Sequence, residues 1–222
     1  MGPKPAACLF DLDGLLLDTE PLHGRGWSQA ANHFGAQLSQ AQLMQLRGRR
    51  RRDCAAMVDQ WLPHPVGVDA VLSIQQPIVK ALLPFAQAMP WAPQLVEHCA
   101  TVGLPMALVT SSSREAVRRK IEPHPWLNQI EERVYGDDPQ LPAGKPNPAP
   151  FLLAAERLKV SATECWAMED SEAGTASALA AGCFVWRLCS EAETIGLTTN
   201  PRTVINLGIV LKELNGSEGT NQ

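Results

Sequence analysis

Two aspartates separated by a single residue, Asp11 and Asp13, follow directly on the apolar run Ala6-Ala7-Cys8-Leu9-Phe10. At the end of a short buried strand such a pair projects to one side while Leu12 points to the other. Gly14 then allows the backbone a tight exit. Carboxylates this close repel each other unless a cation lies between them or they share a proton. Both arrangements suit chemistry on phosphate. Taken alone, the segment also reads as a strand ending in an Asx-type turn, because Asp and Gly are ordinary turn residues. The other chemically able residues decide between the two readings.

Two further groups stand at the ends of apolar runs, and a third lies on a loop between them. Thr110-Ser111-Ser112-Ser113 follows Pro105-Met106-Ala107-Leu108-Val109, and Arg114 opens a helix. A hydroxyl with backbone amides at a helix N-terminus makes a phosphate cradle, whereas Ser112 and Ser113 read as ordinary helix caps. Lys145 is held between Gly144 and Pro146, which limits where its ammonium can wander, and it could neutralise carboxylate and phosphate charge together. Glu169-Asp170-Ser171 ends the run Cys165-Trp166-Ala167-Met168, and Ser171 can cap the next helix. Two adjacent acids at a buried strand end call for a cation. Mg²⁺ takes oxygen ligands, uses few protein carboxylates and keeps several waters, which fits Asp11, Asp170 and Glu169.

These groups must be positioned by the elements between them. From about residue 90 to 210, short apolar runs alternate with helical stretches, with strands also expected at Arg133-Val134-Tyr135 and Cys183-Phe184-Val185-Trp186 and helices over 92–102, 114–121, 147–158, 172–181 and 206–214. Gly103 and Gly182 stand just past two helix ends, where a left-handed cap is wanted. The alternation predicts an α/β fold, a Rossmann-like parallel sheet with right-handed crossovers and helices on both faces. In such a sheet ligands bind beyond the carboxyl ends of the strands, where the acid pair, hydroxyl, lysine and second acid pair all fall. Residues 18–86 differ. Amphipathic stretches at 21–34, 40–47, 52–62 and 69–86 predict an all-helical segment inserted into a core made of 1–17 and 87–222. Pro21 suits a first helical turn, and Ser39 with Gln42 has capping-box spacing. Trp61, Trp91, Trp126, Trp166 and Trp186 read as packing residues.

With 222 residues, 45% hydrophobic and 19% charged, the chain has the composition of a globular protein. A net charge of -4 gives no reason to expect nucleic acid as a partner. The six cysteines include no Cys-x-x-Cys pair, and Cys8, Cys165 and Cys183 read as free thiols packed as small hydrophobes. No secretory signal fits the short apolar stretch after Lys4, and no run approaches membrane-span length. A cytoplasmic monomer without membrane contact is expected.

The constellation resembles the haloacid dehalogenase-like superfamily of phosphohydrolases over essentially the whole chain. Asp11-Leu12-Asp13-Gly14-Leu15-Leu16-Leu17-Asp18-Thr19-Glu20 is similar to the first motif of the branch holding β-phosphoglucomutase and small-metabolite phosphatases. Thr110 matches the second motif, Lys145 the third and Glu169-Asp170 the fourth, and the helical insert 18–86 resembles the cap domain of that branch. Gly136-Asp137-Asp138-Pro139 followed by Gly144-Lys145-Pro146 is similar to a stretch of pseudouridine-monophosphate phosphatases, and is also a good turn sequence. The resemblance implies a Mg²⁺-dependent phosphatase acting on a small phosphorylated metabolite. It makes Asp11 the nucleophile that forms an aspartyl-phosphate and Asp13 the general acid and base. Asp11, the backbone carbonyl of Asp13, Glu169 and Asp170 would hold the metal; Thr110, Ser111 and Lys145 would bind the phosphoryl group.

Two other functions compete. A mutase would need a firm grip on a distal phosphate, and Arg51 in Arg47-Gly48-Arg49-Arg50-Arg51-Arg52 falls near the position the mutase uses for it. Arg47, Arg49 and Arg52 are expected to be solvated, some paired with Asp53 and Asp59. No convincing second basic residue follows; Lys80 is offset. A catalytically idle phospho-ligand-binding relative would be expected to lack one of the acids or the lysine, and none is missing. His23 and Trp27 could line the substrate pocket, or be a surface histidine and a packed aromatic.

Overall fold

The computed structural model describes residues 4–47, 49–189 and 199–216. Among them, β1 (Ala7–Phe10), β4 (Met106–Val109), β5 (Glu132–Val134), β6 (Cys165–Glu169), β7 (Phe184–Leu188) and β8 (Arg202–Val204) form one six-stranded sheet in the order β5-β4-β1-β6-β7-β8. Every pairing is parallel. The strand carrying the two aspartates therefore lies inside the sheet, and its side chains alternate between two apolar layers. Cys8 and Phe10 join Met106, Leu108, Trp166, Met168 and Trp186 on the bulky face. Ala7 and Leu9 join Ala107, Val109, Cys165, Ala167 and Val185 on the other. Such continuous apolar runs are what strands covered on both faces require.

Helices α5 (Ala92–Thr101), α6 (Arg114–Ile121) and α9 (Leu207–Gly216) cover the bulky face, through residues such as Leu95, Val117 and Val210. Helices α7 (Ala149–Arg157) and α8 (Glu172–Ala180) cover the other through Phe151, Ala154 and Ala178. Trp166 and Trp186 meet edge-on at 5.2 Å between centroids. The expected parallel α/β architecture is present, with element ends within a few residues of those expected. Gly103 and Gly182 take the left-handed conformation at their helix ends.

Between β1 and β4 lie α1 (Glu20–His33), α2 (Gln40–Leu46), α3 (Arg51–Gln60) and α4 (Val68–Leu82), which gather their own apolar cluster around Trp27, Ala30, Cys54, Val58 and Val71. The Ser39 hydroxyl accepts from the Gln42 amide while the Gln42 side chain accepts from the Ser39 amide, the capping box foreseen from spacing. The chain enters and leaves this segment side by side, where β2 (Leu17–Asp18) pairs antiparallel with β3 (Gln87–Ala88).

Some expectations need correction. β8 and the β2–β3 pair were not foreseen; with two or three residues each they carry too little periodicity. The helix expected to reach residue 86 gives way at Leu82 to a tighter turn over Leu83–Phe85, where Pro84 has no amide to continue the ladder. Trp91 is 49% exposed rather than packed in a core; it takes a left-handed conformation at the start of α5 and lies against Gly208. The six cysteines are free thiols, and Cys8, Cys165 and Cys183 are buried.

Candidate active site

At the carboxyl ends of β1, β4 and β6 a fully buried ammonium ties three strands together. Lys145 Nζ donates to Asp11 Oδ1 at 2.5 Å, to the Val109 carbonyl at 2.8 Å, and to Glu169 Oε1. The other Glu169 oxygen accepts from the Ser171 hydroxyl at 3.0 Å, and the same hydroxyl caps α8 by accepting from the Gly174 amide at 3.0 Å. Burial opposes charge on Lys145, but the flanking Asp11 and Glu169 carboxylates outweigh it and hold the proton more firmly than usual.

One carboxylate oxygen each from Asp11, Glu169 and Asp170 lies within 4.8 Å of the others. Burial, set against the Lys145 charge and reinforced by Glu169 and Asp13, pushes Asp11 up to about 8. Burial together with Asp11, Glu20 and Glu169 pushes Asp170 well above the carboxylate range. Among the described residues Asp170 has no ion-pair partner, so one lysine faces three crowded acids. An all-oxygen donor set with that excess of negative charge fits a hard divalent cation. Gly14 makes the crowding possible: at φ +85°, a Cβ there would lie 2.2 Å from Asp170 Oδ2.

Asp13 faces different company. Lys120 Nζ, fully buried on α6, reaches both of its oxygens at 2.5 and 2.6 Å and also the Ser112 hydroxyl at 2.7 Å. Ser112 Oγ donates to Asp13 Oδ2 at 2.9 Å, Thr19 Oγ1 to Oδ1 at 2.5 Å, and His23 Nε2 stands 3.5 Å from Oδ1. Burial opposes the charge, yet Lys120 and His23 more than offset it and hold the carboxyl well below its usual range.

Asp11, Asp13, His23, Arg51 and Ser111 all border one cavity of about 940 Å³, and Trp27 borders it while packing in the helical cluster. Thr110 is buried at the end of β4, its hydroxyl accepting from the Ser112 amide at 3.1 Å. Ser113 caps α6 by accepting from the Ala116 amide. Ser112 does not act as the expected cap; its hydroxyl turns to Asp13 and Lys120. The arginine partners also differ from those expected. Arg47 pairs with Glu20 at 3.2 Å and Arg52 with Asp69 at 3.0 Å, while Asp59 accepts from the Val66 and Gly67 amides at 2.7 and 2.9 Å. Arg50 crosses onto the loop before Lys145, where a Cβ on Gly144 would lie 2.2 Å from its Nε.

Lys120 and Thr19 were not singled out from the sequence. Lys120 ends the run Arg118-Arg119-Lys120, which looks like a solvated helix face. The usable signal was phase: Lys120 falls with Ala116, Val117 and Ile121 on the buried side of α6.

Residues 8–187 match the family described as haloacid dehalogenase-like hydrolase. The chain belongs to that family. Hexitol phosphatase A of Escherichia coli is 30% identical to this haloacid dehalogenase-like hydrolase over 84% of both chains. A "probable pseudouridine-5'-phosphatase" of Drosophila melanogaster is 31% identical over 81% of the chain and 79% of its own length. The bifunctional riboflavin kinase/FMN phosphatase of Arabidopsis thaliana is 30% identical over 91% of the chain, which spans 54% of that longer protein. Among solved structures, CbbY from Rhodobacter sphaeroides in complex with phosphate superposes with a TM-score of 0.79 at 22% identity, covering 95% and 99% of the two chains. The fold is shared with CbbY, and the hydrolase is an enzyme of the phosphatase class. Among the described residues no helix is long and apolar enough to cross a membrane.

Proposed function

We propose that this chain is a Mg²⁺-dependent phosphatase that hydrolyses a small phosphorylated metabolite, a sugar phosphate or nucleoside monophosphate, through an aspartyl-phosphate on Asp11. The observation that carries the reading is the juxtaposition at the end of β1. Asp11 sits against Lys145 and the Glu169–Asp170 acids, while Asp13 opens on the same cavity from a separate set of donors. Phosphatases among the relatives support the class.

In this mechanism Asp11 attacks phosphorus in line and the leaving alcohol departs on the Asp13 side. Asp13 is held as the carboxylate in the free protein, so it takes up a proton as the negatively charged substrate arrives, passes it to that alcohol and afterwards takes one from the water that hydrolyses the intermediate. Lys145 offsets charge on Asp11 and on the transferred group, and the Thr110-Ser111 turn offers donors to the phosphoryl oxygens. Asp11, the Asp13 carbonyl, Glu169 and Asp170 would hold the divalent cation, which when bound offsets negative charge on the phosphoryl group. Helices α1 to α4, residues 18–86, serve as the cap that closes the cavity over the substrate, with Arg51 and His23 facing the leaving group.

The test is phosphate release from a panel of phosphomonoesters with Mg²⁺, with EDTA and with Asp11→Asn. Release abolished by both controls bears the proposal out and names the substrate class. Interconversion of β-glucose 1-phosphate and glucose 6-phosphate without net release would give the site to a mutase instead.

A further inference from the structure

We infer that Lys120 is a positioning residue for Asp13, setting the orientation in which this carboxyl group meets the substrate. The inference rests on the phosphatase reading and adds a residue that the family motifs described above do not include.

Lysine is rarely buried without a partner that needs it. Lys120 is fully buried on α6, and all its hydrogen-bonding contacts point one way: two to the oxygens of Asp13 and one to the Ser112 hydroxyl. Ser112 in turn donates to Asp13 Oδ2, so carboxylate, ammonium and hydroxyl close a three-membered ring of contacts. A ring made by the β1 exit loop on one side and, on the other, the last turn of α6 together with the turn that precedes this helix fixes the plane of the carboxylate and not only its distance. Thr19 fills the remaining direction on Oδ1. Asp13 therefore has one orientation in which its cavity-facing edge is presented. Its neighbour Asp11 is held by a different lysine, and no described contact joins the two ammonium groups.

A lysine that served folding alone would cost stability when replaced singly by an apolar side chain, but would leave kcat unchanged wherever the protein stays folded. A positioning residue would not. Reacting groups displaced by about 1 Å lose on the order of 100-fold in rate, with substrate binding largely spared. Lys120→Met should therefore lower kcat for p-nitrophenyl phosphate by roughly that factor while KM stays within about twofold.

The deciding comparison is a cycle of wild type, Lys120→Met, Asp13→Asn and the double variant, with kcat and KM measured for each and thermal unfolding recorded alongside. If Lys120 acts through Asp13, its loss slows wild type and does not slow Asp13→Asn further, because the group it orients has lost its role. Equal slowing in both backgrounds overturns the inference, as does an unchanged kcat, or a rise in KM equal to the fall in kcat. Should Lys120→Met not fold, Lys120→Gln, which keeps a donor but removes the ammonium that spans both Asp13 oxygens, closes the same cycle with the same outcomes. A wild type that releases no phosphate from any phosphomonoester overturns the phosphatase reading and this inference together. An active wild type silenced by Asp11→Asn leaves the cycle to decide on Lys120 alone.

Discussion

Asp11 and Asp13 leave the same strand two residues apart, yet their surroundings drive them in opposite directions. On the Asp11 side three acids crowd around one lysine that pairs with two of them, and burial raises the Asp11 carboxyl to about 8. On the Asp13 side one acid meets Lys120, Ser112, Thr19 and His23, and is held well below its usual range. The first region has an excess of negative charge that a cation would relieve. The second is complete without one. Two chemically identical residues are thus given opposite charge preferences, because different elements bring different partners to them, and in the metal-free protein the proton favours Asp11 over Asp13.

The largest expected effect follows from the asymmetry of roles. Asp11→Asn should abolish phosphate release by about a thousandfold or more, since removing a nucleophile eliminates the covalent route. It should nevertheless leave the metal-free protein as stable as wild type or more so, because a neutral amide avoids the burial cost that raises this carboxyl. A clear fall in the metal-free melting temperature of Asp11→Asn would break the comparison. Asp13→Asn should behave in the reverse sense. Activity falls by roughly 10² to 10⁴, and stability falls by about 3 kcal/mol because Lys120 is left buried without its carboxylate. Chemical denaturation of the two variants side by side measures both.

Lys145→Met tests the other ammonium. It strips Asp11 and Glu169 of their shared cation, and a loss of about 3 to 5 kcal/mol is expected from breaking a buried pair. Added Mg²⁺ should recover more of that loss than it adds to wild type, measured as the melting shift between EDTA and Mg²⁺.

The pH dependence sharpens the contrast further. Asp11 has a raised folded-state value, so its contribution to stability is full below the ordinary carboxylate range near 4 and is lost as pH rises through about 8. Asp13 has a depressed value, so its contribution is present above that range and is lost only in strong acid. Between pH 6 and 8.5 the metal-free melting temperature should decline on account of Asp11. The stabilisation by Mg²⁺ should grow over the same interval, because the cation competes with the proton for that carboxyl. A Mg²⁺ shift independent of pH would show that Asp11 is already ionised at pH 6. The smallest effect is a control remote from both aspartates: Ser39→Ala removes one half of a capping box and should cost about 1 kcal/mol with kcat unchanged.

Much of this was legible in the chain itself. Apolar runs bounded by Gly, Ser and Asp marked five of the sheet's six strands, and period-2 alternation within β1 matches the two layers into which Cys8 and Leu9 fall. Asp11 and Glu169-Asp170 announced themselves because charged residues at the ends of apolar strands have no cheap structural excuse, whereas Lys145, on a loop between Gly144 and Pro146, gained meaning only beside them. The capping box at Ser39 was legible because its partners are three residues apart. Lys120 was not, since its neighbours Arg118 and Arg119 disguise it and its partner Asp13 is 107 positions away. Ser112 was misread for the same reason: a cap is the local explanation of a serine before a helix, and only the fold brings a carboxylate and a buried lysine to it. The arginine run shows the limit from the other side, since charge alone named Asp53 and Asp59 as partners while the folded chain supplies Glu20 and Asp69.

The sequence by itself determined the sheet's apolar strands, the helical character of residues 18–86 and the chemical types gathered at the strand ends, because each of these is written in side-chain periodicity and in motifs a few residues long. Only the tertiary structure decided which lysine serves which aspartate, and with it the opposite charge preferences of Asp11 and Asp13. Those preferences depend on burial and on groups more than a hundred residues apart meeting within 3 Å, and no local pattern encodes such a meeting.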